Sequence, residues 1–295
     1  MRITIANPYA VPAGCRHAWL KGNLHAHSTR SDGSLTPQQV IDAYAGLGYQ
    51  FLMFSDHDQL SNFQGLNPCG LTLLHGNEIS ARGVHILDVG ARTVIVPDSD
   101  RQNVLDGIRK RSGFPIVCHP NWTDSFDHCS METLLQLRGY TGVEIFNGSC
   151  VNESGSAYAL EKWDRLLSTG RRAWGYANDD CHNARHVGLG WNVVRVPAGN
   201  INARSILRAI RHGNFYASSG ATIESIKVHG SEIRVVARDA EAIEVIGEHG
   251  AQHAFVEGAK LRYDVRCRRT SYVRIQVYGH AGRKAWSQPL FVKFV

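Results

Sequence analysis

The segment GNLHAHSTRSDG, residues 22–33, places two histidines two positions apart at the end of an apolar run and follows them with an acidic turn. In an extended chain, residues i and i+2 face the same side, so His25 and His27 can reach one metal ion together. Taken alone, such a pair more often consists of ordinary surface or core histidines than of ligands. The segment therefore predicts a metal site only if similar ligands recur elsewhere in the chain.

Polar side chains of this kind do recur, each at the carboxyl end of a later apolar run. They lie in the motifs SDHD, GNEIS, CHPNW and ANDDCHN, which contain His57, Glu78, His119, Asp180 and His182. Barrels built from parallel strands form their sites at this end of the strands, whereas solvated polar residues would be scattered along helices. The pattern predicts one site assembled from several strands.

The fold class follows from the alternation of short apolar runs with helix-like segments between about residues 20 and 180, which is typical of parallel βα units. The first helix has a clear start, with Thr36 as N-cap, Pro37 at the first position and Gln39 completing a capping box. Seven strand candidates are present, and we predict a barrel-like α/β fold. They are WLKGNLH, QFLMFS, LTLLHG, VHILDVG, FPIVCH, GVEIFNG and RRAWGYAND.

The sequence pattern of the chain changes after NFYASSG, residues 214–220. The segments that follow alternate with period two, are separated by Gly or Asp turns, and contain no helix-length apolar period. We therefore predict two domains, a barrel over residues 1–220 and a small antiparallel, sandwich-like β domain over residues 221–295.

The net charge of +6 and the pI near 9.0 raise the question of nucleic-acid binding. Residues 221–295 hold 12 Lys or Arg against 8 Asp or Glu, so much of the basic excess belongs to the predicted tail domain. A spread excess of this size is more typical of a solvated surface than of a nucleic-acid groove, and it is compatible with a small anionic substrate.

The seven cysteines are odd in number, widely spread and never in a CxxC pair, which argues against a disulfide framework and against a zinc ribbon. No apolar run reaches the roughly 18 residues of a membrane span, and the first residues lack the features of a signal peptide. We expect a soluble, cytoplasmic protein with free thiols and no membrane partner.

Carboxylate and imidazole ligands without thiolates suit Zn, Mn or Fe, and their number exceeds what one tetrahedral ion uses. We therefore expect two or three divalent ions. Asp32, Glu78 and Asp180 supply three negative charges against about six positive charges on three such ions. The surplus of positive charge favours a hydroxide and an anionic substrate.

The ordered set HAHSTRSDG, SDHD, Glu78, CHP and DDCH resembles the PHP superfamily, named for polymerase and histidinol phosphatase, over roughly residues 19–190. The resemblance implies a distorted (β/α)7 barrel with a trinuclear metal site. It implies one ion held by His25, His27, Glu78 and Asp180, and a second held by Asp32, His57 and His182. A third would be shared by Glu78, His119 and one further histidine.

His85 is the candidate for that further histidine, although it begins its apolar run, and a buried hydrogen-bonded histidine is the alternative interpretation. The tail, with GNFYASSG followed by SYVRIQVYGHAGRKAWSQPLFV, is similar to the end of carbamate-hydrolase-like PHP proteins. That resemblance implies a barrel followed by a small β domain.

We predict hydrolysis by a metal-bridged hydroxide held by Asp32, Glu78 and Asp180, because bound cations lower the pKa of water. A phosphate monoester or diester is the first expectation, and a carbamate or carboxylic ester is the enzymatic alternative. A non-catalytic metal-binding structural module is the alternative of another class. No GxSxG elbow or glycine-rich phosphate loop is present in the sequence.

Three basic residues beside the ligand motifs and one asparagine at the end of the sixth strand run are the candidates for holding the substrate, with a surface charge or a loop cap as the alternative for each. They are Lys21, Arg30, Asn147 and Arg185. Asp56, beside His57, is predicted to orient a metal-ligating side chain rather than to bind a metal itself.

Overall fold

The computed structural model describes residues 3–10 and 14–294, and these ranges form nineteen strands, five α-helices and several short 3-10 turns. Up to residue 180 the elements are β1 (Ile3–Ala6), β2 (His17–Asn23), α1 (Pro37–Gly46), β3 (Phe51–Met53), β4 (Thr72–Leu74), β5 (Gly76–Ile79), β6 (Ile86–Val89), α2 (Arg101–Arg109), β7 (Phe114–Val117), α3 (Met131–Gln136), β8 (Gly142–Asn147), α4 (Leu160–Ser168) and β9 (Trp174–Asn178). The later elements are β10 (Trp191–Pro197), α5 (Ala203–Arg211), β11 (Phe215–Ser218), β12 (Thr222–His229), β13 (Glu232–Arg238), β14 (Ala240–Ile246), β15 (Gln252–Glu257), β16 (Lys260–Asp264), β17 (Tyr272–Gly279), β18 (Lys284–Ser287) and β19 (Leu290–Phe294).

Helix α1 begins where the sequence predicts it. The Thr36 side chain accepts a hydrogen bond from the Gln39 backbone, the Gln39 side chain accepts one from the Thr36 backbone, and Pro37 occupies the first turn. The helix buries Val40 and Tyr44 against the sheet side, which supplies the apolar contact that holds so short a helix in place. Across the described residues, no helix has both the length and the apolar character needed to cross a bilayer.

Two sheets surround the region of the predicted ligands. Strands β2, β3 and β4 are parallel neighbours in one sheet, and β7, β8 and β9 are parallel neighbours in the other. Strand β6 runs antiparallel to both β5 and β7. Isolated parallel bridges join the two sheets at their ends, between Ala26 and Cys181 and between His57 and Glu78.

The architecture is therefore mixed α/β with more strand than helix, and the strand pairs of the described residues do not close into a (β/α)7 barrel. The reasons are local. A single residue, His75, separates β4 from β5, which leaves no room for a helix. Between β9 and β10 the Asn192 side-chain amide, rather than a backbone ladder, binds the backbone N–H and carbonyl of Ala177.

One apolar core lies between the two sheets and supports the site from below. It is formed by side chains from both sheets and from α5, among them Leu24, Phe51, Met53, Ile116, Tyr176, Ile206 and Phe215. Because strands of both sheets share this core, the strand ends that carry the candidate ligands are held at fixed separations.

The predicted domain boundary near residue 220 is crossed by sheet hydrogen bonds. Strand β11 pairs with β18, and β1 pairs with β19, so the ends of the chain share one eleven-stranded sheet with β2 and β10. Strands β12, β13 and β16 form a separate three-stranded sheet. A buried ion pair joins Arg274 of β17 to Asp164 of α4, with Nη2 and Oδ2 2.7 Å apart. The division into two domains stays a prediction.

Candidate metal centre

All nine predicted ligands lie close together at one end of the two sheets. They belong to four groups of side chains whose potential ligand atoms lie within 4.8 Å of one another, and these groups overlap. The groups are His25, Glu78, Cys118 and His119; His27, Asp32, His57 and His182; His25, His27 and Asp180; and His85, His119 and His128.

Glu78, at the end of β5, is at the centre of the cluster. Its Oε1 lies 3.0 Å from Nδ1 of His85 and 3.2 Å from Nε2 of His119. Its Oε2 lies 3.1 Å from Nδ1 of His57 and 3.3 Å from Nε2 of His25. Because this carboxylate is 1% exposed and meets histidines on both oxygens, it would be a ligand for cations bound on either side.

Two further carboxylates complete the acidic part of the cluster. Oδ1 of Asp180 lies 3.2 Å from Nε2 of both His25 and His27. Oδ2 of Asp32 lies 3.3 Å from Nε2 of His57 and 3.4 Å from Nε2 of His182. Two ligand atoms about 2.1 Å from one ion, at angles of 90° to 109°, are roughly 3.0 to 3.4 Å apart, so these separations suit shared cations.

The protonation pattern of His25 tests whether the residues fit a metal. Its Nδ1 lies 2.8 Å from Oε1 of Glu144, and a carboxylate can only accept, so Nδ1 donates and Nε2 is the atom that faces the cluster. Burial lowers the pKa of His25, but neighbouring carboxylates raise it overall, so a metal would bind Nε2 by displacing its proton. That Nε2 has no hydrogen-bond partner and is buried. The same holds for Nε2 of His27, Nδ1 of His57 and Oδ1 of Asp180. Buried polar atoms without partners are costly, and cations bound in the two groups that contain these atoms would satisfy all four.

The electrostatics keep the carboxylates ionised. Burial raises the pKa of Glu78, but the neighbouring His25 and His85 outweigh it, and the net pKa is well below the ordinary value. Hydrogen bonds from His182 and His57 lower the pKa of Asp32. Burial lowers the pKa of His57, yet Asp32 and Glu78 raise it overall to about 10. A cation entering the cluster would therefore displace protons from histidines, so metal binding should weaken as the pH falls.

Two candidate ligands have unusual backbone conformations. His119 has φ of 24° and Asp180 has φ of 51°, both in the left-handed region that side chains other than glycine rarely adopt. Such strain persists where surrounding contacts hold it, and it is frequent at functional sites. Here both residues follow the ends of strands, β7 and β9, and both side chains reach the cluster.

His85 reaches the cluster although it precedes its strand. Strand β6 is antiparallel to its neighbours, so its amino-terminal end lies where the parallel strands have their carboxyl ends. His85 comes directly before β6 and contacts Glu78 from that end. The sequence pattern could not reveal this because it carries no information on strand direction.

Three residues near the cluster were not anticipated. His128 accepts a hydrogen bond on Nε2 from the His85 backbone, and Cys118 belongs to the group around Glu78. Glu144, in the middle of β8, is buried and accepts hydrogen bonds from His25 and from the His119 backbone. A signal for Glu144 was present, since an acidic residue inside the apolar run GVEIFNG must be paired if that run is buried. His128 lies in a loop without a distinguishing pattern.

Asp56 supports the cluster indirectly. It is fully buried and accepts hydrogen bonds from the Ser28 backbone and from the hydroxyls of Ser28, Ser31 and Ser61. The Ser31 hydroxyl also lies within hydrogen-bond distance of Asp32. Asp56 thus holds the loop that carries Asp32, rather than contacting the ring of His57.

The four predicted substrate-binding residues have different environments. The Asn147 amide donates to Glu144 and to Asp180, so it positions a candidate ligand. The Lys21 ammonium lies 4.0 Å from the ring centre of Tyr49 and forms a cation–π contact. Arg185 is exposed in a 3-10 turn. Neither Lys21, Arg30 nor Arg185 is among the described residues that line the cavity at the cluster.

Comparisons with known proteins agree with this picture at the level of the fold. No protein-family model matches the chain. The structure resembles a two-domain protein from Bacteroides vulgatus containing a predicted PHP-like metal-dependent phosphoesterase. The TM-score is 0.55 and the identity 15%, with 97% of this chain and 90% of that chain covered. At this identity the likeness concerns the fold alone.

Two curated proteins share a short segment with the chain. One is a phosphoribosyl 1,2-cyclic phosphate 1,2-diphosphodiesterase from Eggerthella lenta, 37% identical over 78 residues. The other is a 5'-3' exoribonuclease from Haemophilus influenzae, 35% identical over 75 residues. Each match covers 23% of this chain and less than a third of the relative, 30% and 27% respectively. An amidohydrolase structure from Chromobacterium violaceum aligns at a TM-score of 0.42, too low to carry an argument.

Proposed function

We propose that the chain is a metal-dependent hydrolase of the PHP type that cleaves a small phosphate monoester or diester. The observation that carries the proposal is the set of buried candidate ligand atoms without hydrogen-bond partners. Those of His25, His27 and His57 lie around Glu78, and that of Asp180 faces His25 and His27. The segment matches support it, since one relative is named as a diphosphodiesterase.

The candidate ligands suit two or three Zn, Mn or Fe ions, because they offer imidazole and carboxylate groups in overlapping sets. Such ions, when bound, lower the pKa of water toward neutrality and polarise a phosphoryl oxygen. Asp32, Glu78 and Asp180 would hold the water with the ions. The chain's own contribution is to fix the ligands, chiefly through Glu144 behind His25 and Asp56 behind the loop of Asp32.

The test is to load the protein with Zn, Mn or Fe and measure bound metal by elemental analysis. The loaded protein is then screened against phosphomonoesters, phosphodiesters, carboxylic esters and carbamates. We expect two or three equivalents of metal per chain and turnover of a phosphate ester. Asp180→Ala is the matched control, and we expect it to abolish turnover while the circular dichroism spectrum stays near wild type.

The outcomes separate the alternatives. Less than one equivalent of metal after supplementation contradicts a multinuclear metal site. Turnover confined to carboxylic esters or carbamates favours a carbamate or carboxylic ester hydrolase. Tightly held metal without turnover of any substrate favours the structural module.

A further inference from the structure

The cavity at the candidate metal cluster shares lining residues with a second, neighbouring cavity. The first has a volume of about 260 Å³, and the residues that line it besides the candidate ligands are Trp122, Ser149, Cys150 and Glu153. The second cavity is an open surface depression of about 520 Å³, lined by Trp122, Thr123, Asp124, Asn152, Glu153 and Ser154. Trp122 and Glu153 are common to both cavities, so they form the boundary that a bound substrate would cross.

The two loops that carry these residues are tied together. A backbone bridge joins Trp122 to Gly155, and the Thr123 N–H donates to the Ser154 carbonyl at 3.1 Å. Gly155 has φ of 97°, and a Cβ there would lie 2.3 Å from the carbonyl oxygen of Asn121. The close approach of the two loops therefore requires glycine at this position.

A buried lysine holds the loop that carries Trp122. The Lys162 ammonium donates to the carbonyls of Pro120, Phe126 and Cys129 at 3.0, 2.9 and 2.8 Å. An ammonium has three donors, so these bonds use its full capacity. The Trp122 ring also packs against the rings of His119 and His128, each with centroids 5.1 Å away. The two loops that carry Trp122 and Glu153 form the rim of the cavities, and these contacts hold that rim in a defined conformation.

The charge of the rim is opposite to that expected for binding a second phosphate. Asp124 and Glu153 are exposed carboxylates that line the second cavity. Among the described residues, no Lys or Arg lines either cavity. Positive charge for a phosphoryl group would come from the metal ions alone, and a second anionic group would meet carboxylates.

We propose that the second cavity is a subsite for the part of the substrate that is not phosphorylated, and that this part is flat and either neutral or cationic. Its apolar face lies on the Trp122 indole, and its hydrogen-bond donors face Glu153 and Asp124. This inference rests on the proposed function and narrows it to substrates with a single phosphoryl group. Polyphosphates are disfavoured, as are substrates whose leaving group carries a second negative charge.

The test uses three unreactive benzylphosphonates that differ in the para substituent, which is ethyl, aminomethyl or carboxymethyl. Their dissociation constants from the metal-loaded protein are measured by calorimetry, with inorganic phosphate as a fourth probe. A charge about 7 Å from one carboxylate in a watery environment changes affinity by about 3-fold. We expect the aminomethyl compound to bind at least about 3-fold tighter than the ethyl compound, and the carboxymethyl compound at least about 3-fold weaker.

Variants assign the effect to residues. Glu153→Gln should reduce the penalty on the carboxymethyl compound by about 3-fold, whereas Glu257→Gln, an equal charge change on the exposed strand β15, should leave it unchanged. Trp122→Ala should weaken all three phosphonates by about 10-fold, with recovery in Trp122→Phe. Binding of inorganic phosphate should change by less than about 2-fold in Trp122→Ala, which separates loss of stacking from damage to the metal cluster.

Equal affinity of wild type for the carboxymethyl and ethyl compounds overturns the proposal, as does an unchanged penalty in Glu153→Gln. Failure of all three phosphonates to bind also overturns it. Lack of turnover with every phosphate ester would instead contradict the proposed function, and the phosphonate affinities would still decide the nature of the subsite.

Discussion

Replacing Glu144 by glutamine tests how the sheet beneath the cluster prepares it for metal. The Glu144 carboxylate accepts four hydrogen bonds, with Oε1 facing Nδ1 of His25 and Nδ2 of Asn178, each at 2.8 Å. Oε2 faces the His119 N–H and Nδ2 of Asn147, each at 2.9 Å. Burial raises its pKa, but His25 outweighs that effect and the net pKa is lowered, so the group stays ionised.

Glutamine has nearly the same shape but replaces one oxygen by an NH2 group. In either orientation of the amide, its NH2 group takes the place of an oxygen that accepted two hydrogen bonds. Two buried donors therefore lose their acceptor. Each unsatisfied buried donor costs about 1 to 3 kcal/mol, so the two together should lower the free energy of unfolding by about 2 to 6 kcal/mol. His25 can relieve one conflict by moving its proton to Nε2, but that proton then occupies the lone pair that would bind metal.

The assay has two parts. Urea unfolding of the metal-free protein, followed by circular dichroism, measures the stability loss. Titration against a competing chelator measures metal affinity, which should fall by about 10- to 100-fold. Glu132→Gln, an exposed replacement in α3, should stay within about 0.5 kcal/mol of wild type. If Glu144→Gln matched wild type in both measurements, the proposed role of this carboxylate in setting the His25 tautomer would be wrong.

Three further predictions concern other buried ionisable side chains. Asp56→Ala should free the loop of Asp32 and weaken metal binding by about 10-fold or more in a chelator titration, with an unchanged circular dichroism spectrum. Burial raises the pKa of Asp88 to about 7, so its native carboxyl holds a proton that the unfolded chain releases from about pH 4 upward. Asp88 should therefore lower the stability of wild type as the pH rises from 5 to 8, as measured by urea unfolding at the two pH values. Asp88→Asn should lack this contribution. Arg274→Ala should leave the Asp164 carboxylate buried without its partner and cost about 3 to 5 kcal/mol by urea unfolding, and a cost below about 1 kcal/mol would contradict the structural role of that ion pair.

The positions of the candidate ligands along the chain could be read from the sequence because they depend on local rules. His25 and His27 share a face since alternate residues of an extended chain do so, and the capping box of α1 depends on side chains three positions apart. The order of the ligand motifs, each after an apolar run, was sufficient to predict that Glu78 and Asp180 would meet the histidines. The roles of these residues in catalysis stay predictions.

Strand direction and strand partners depend on contacts distant in sequence, and the tertiary structure decided them. The antiparallel course of β6 brings His85 to Glu78, although its place before the strand suggested otherwise. Pairing between β11 and β18 joins the segment after residue 220 to the same sheet as β2, which the sequence pattern could not indicate. Glu144 contacts His25 from 119 positions away. Local propensity fixes whether a segment is extended or helical. Which segments become neighbours is set by burial of apolar side chains from distant parts of the chain in shared cores, and that pairing placed the residues that orient the site.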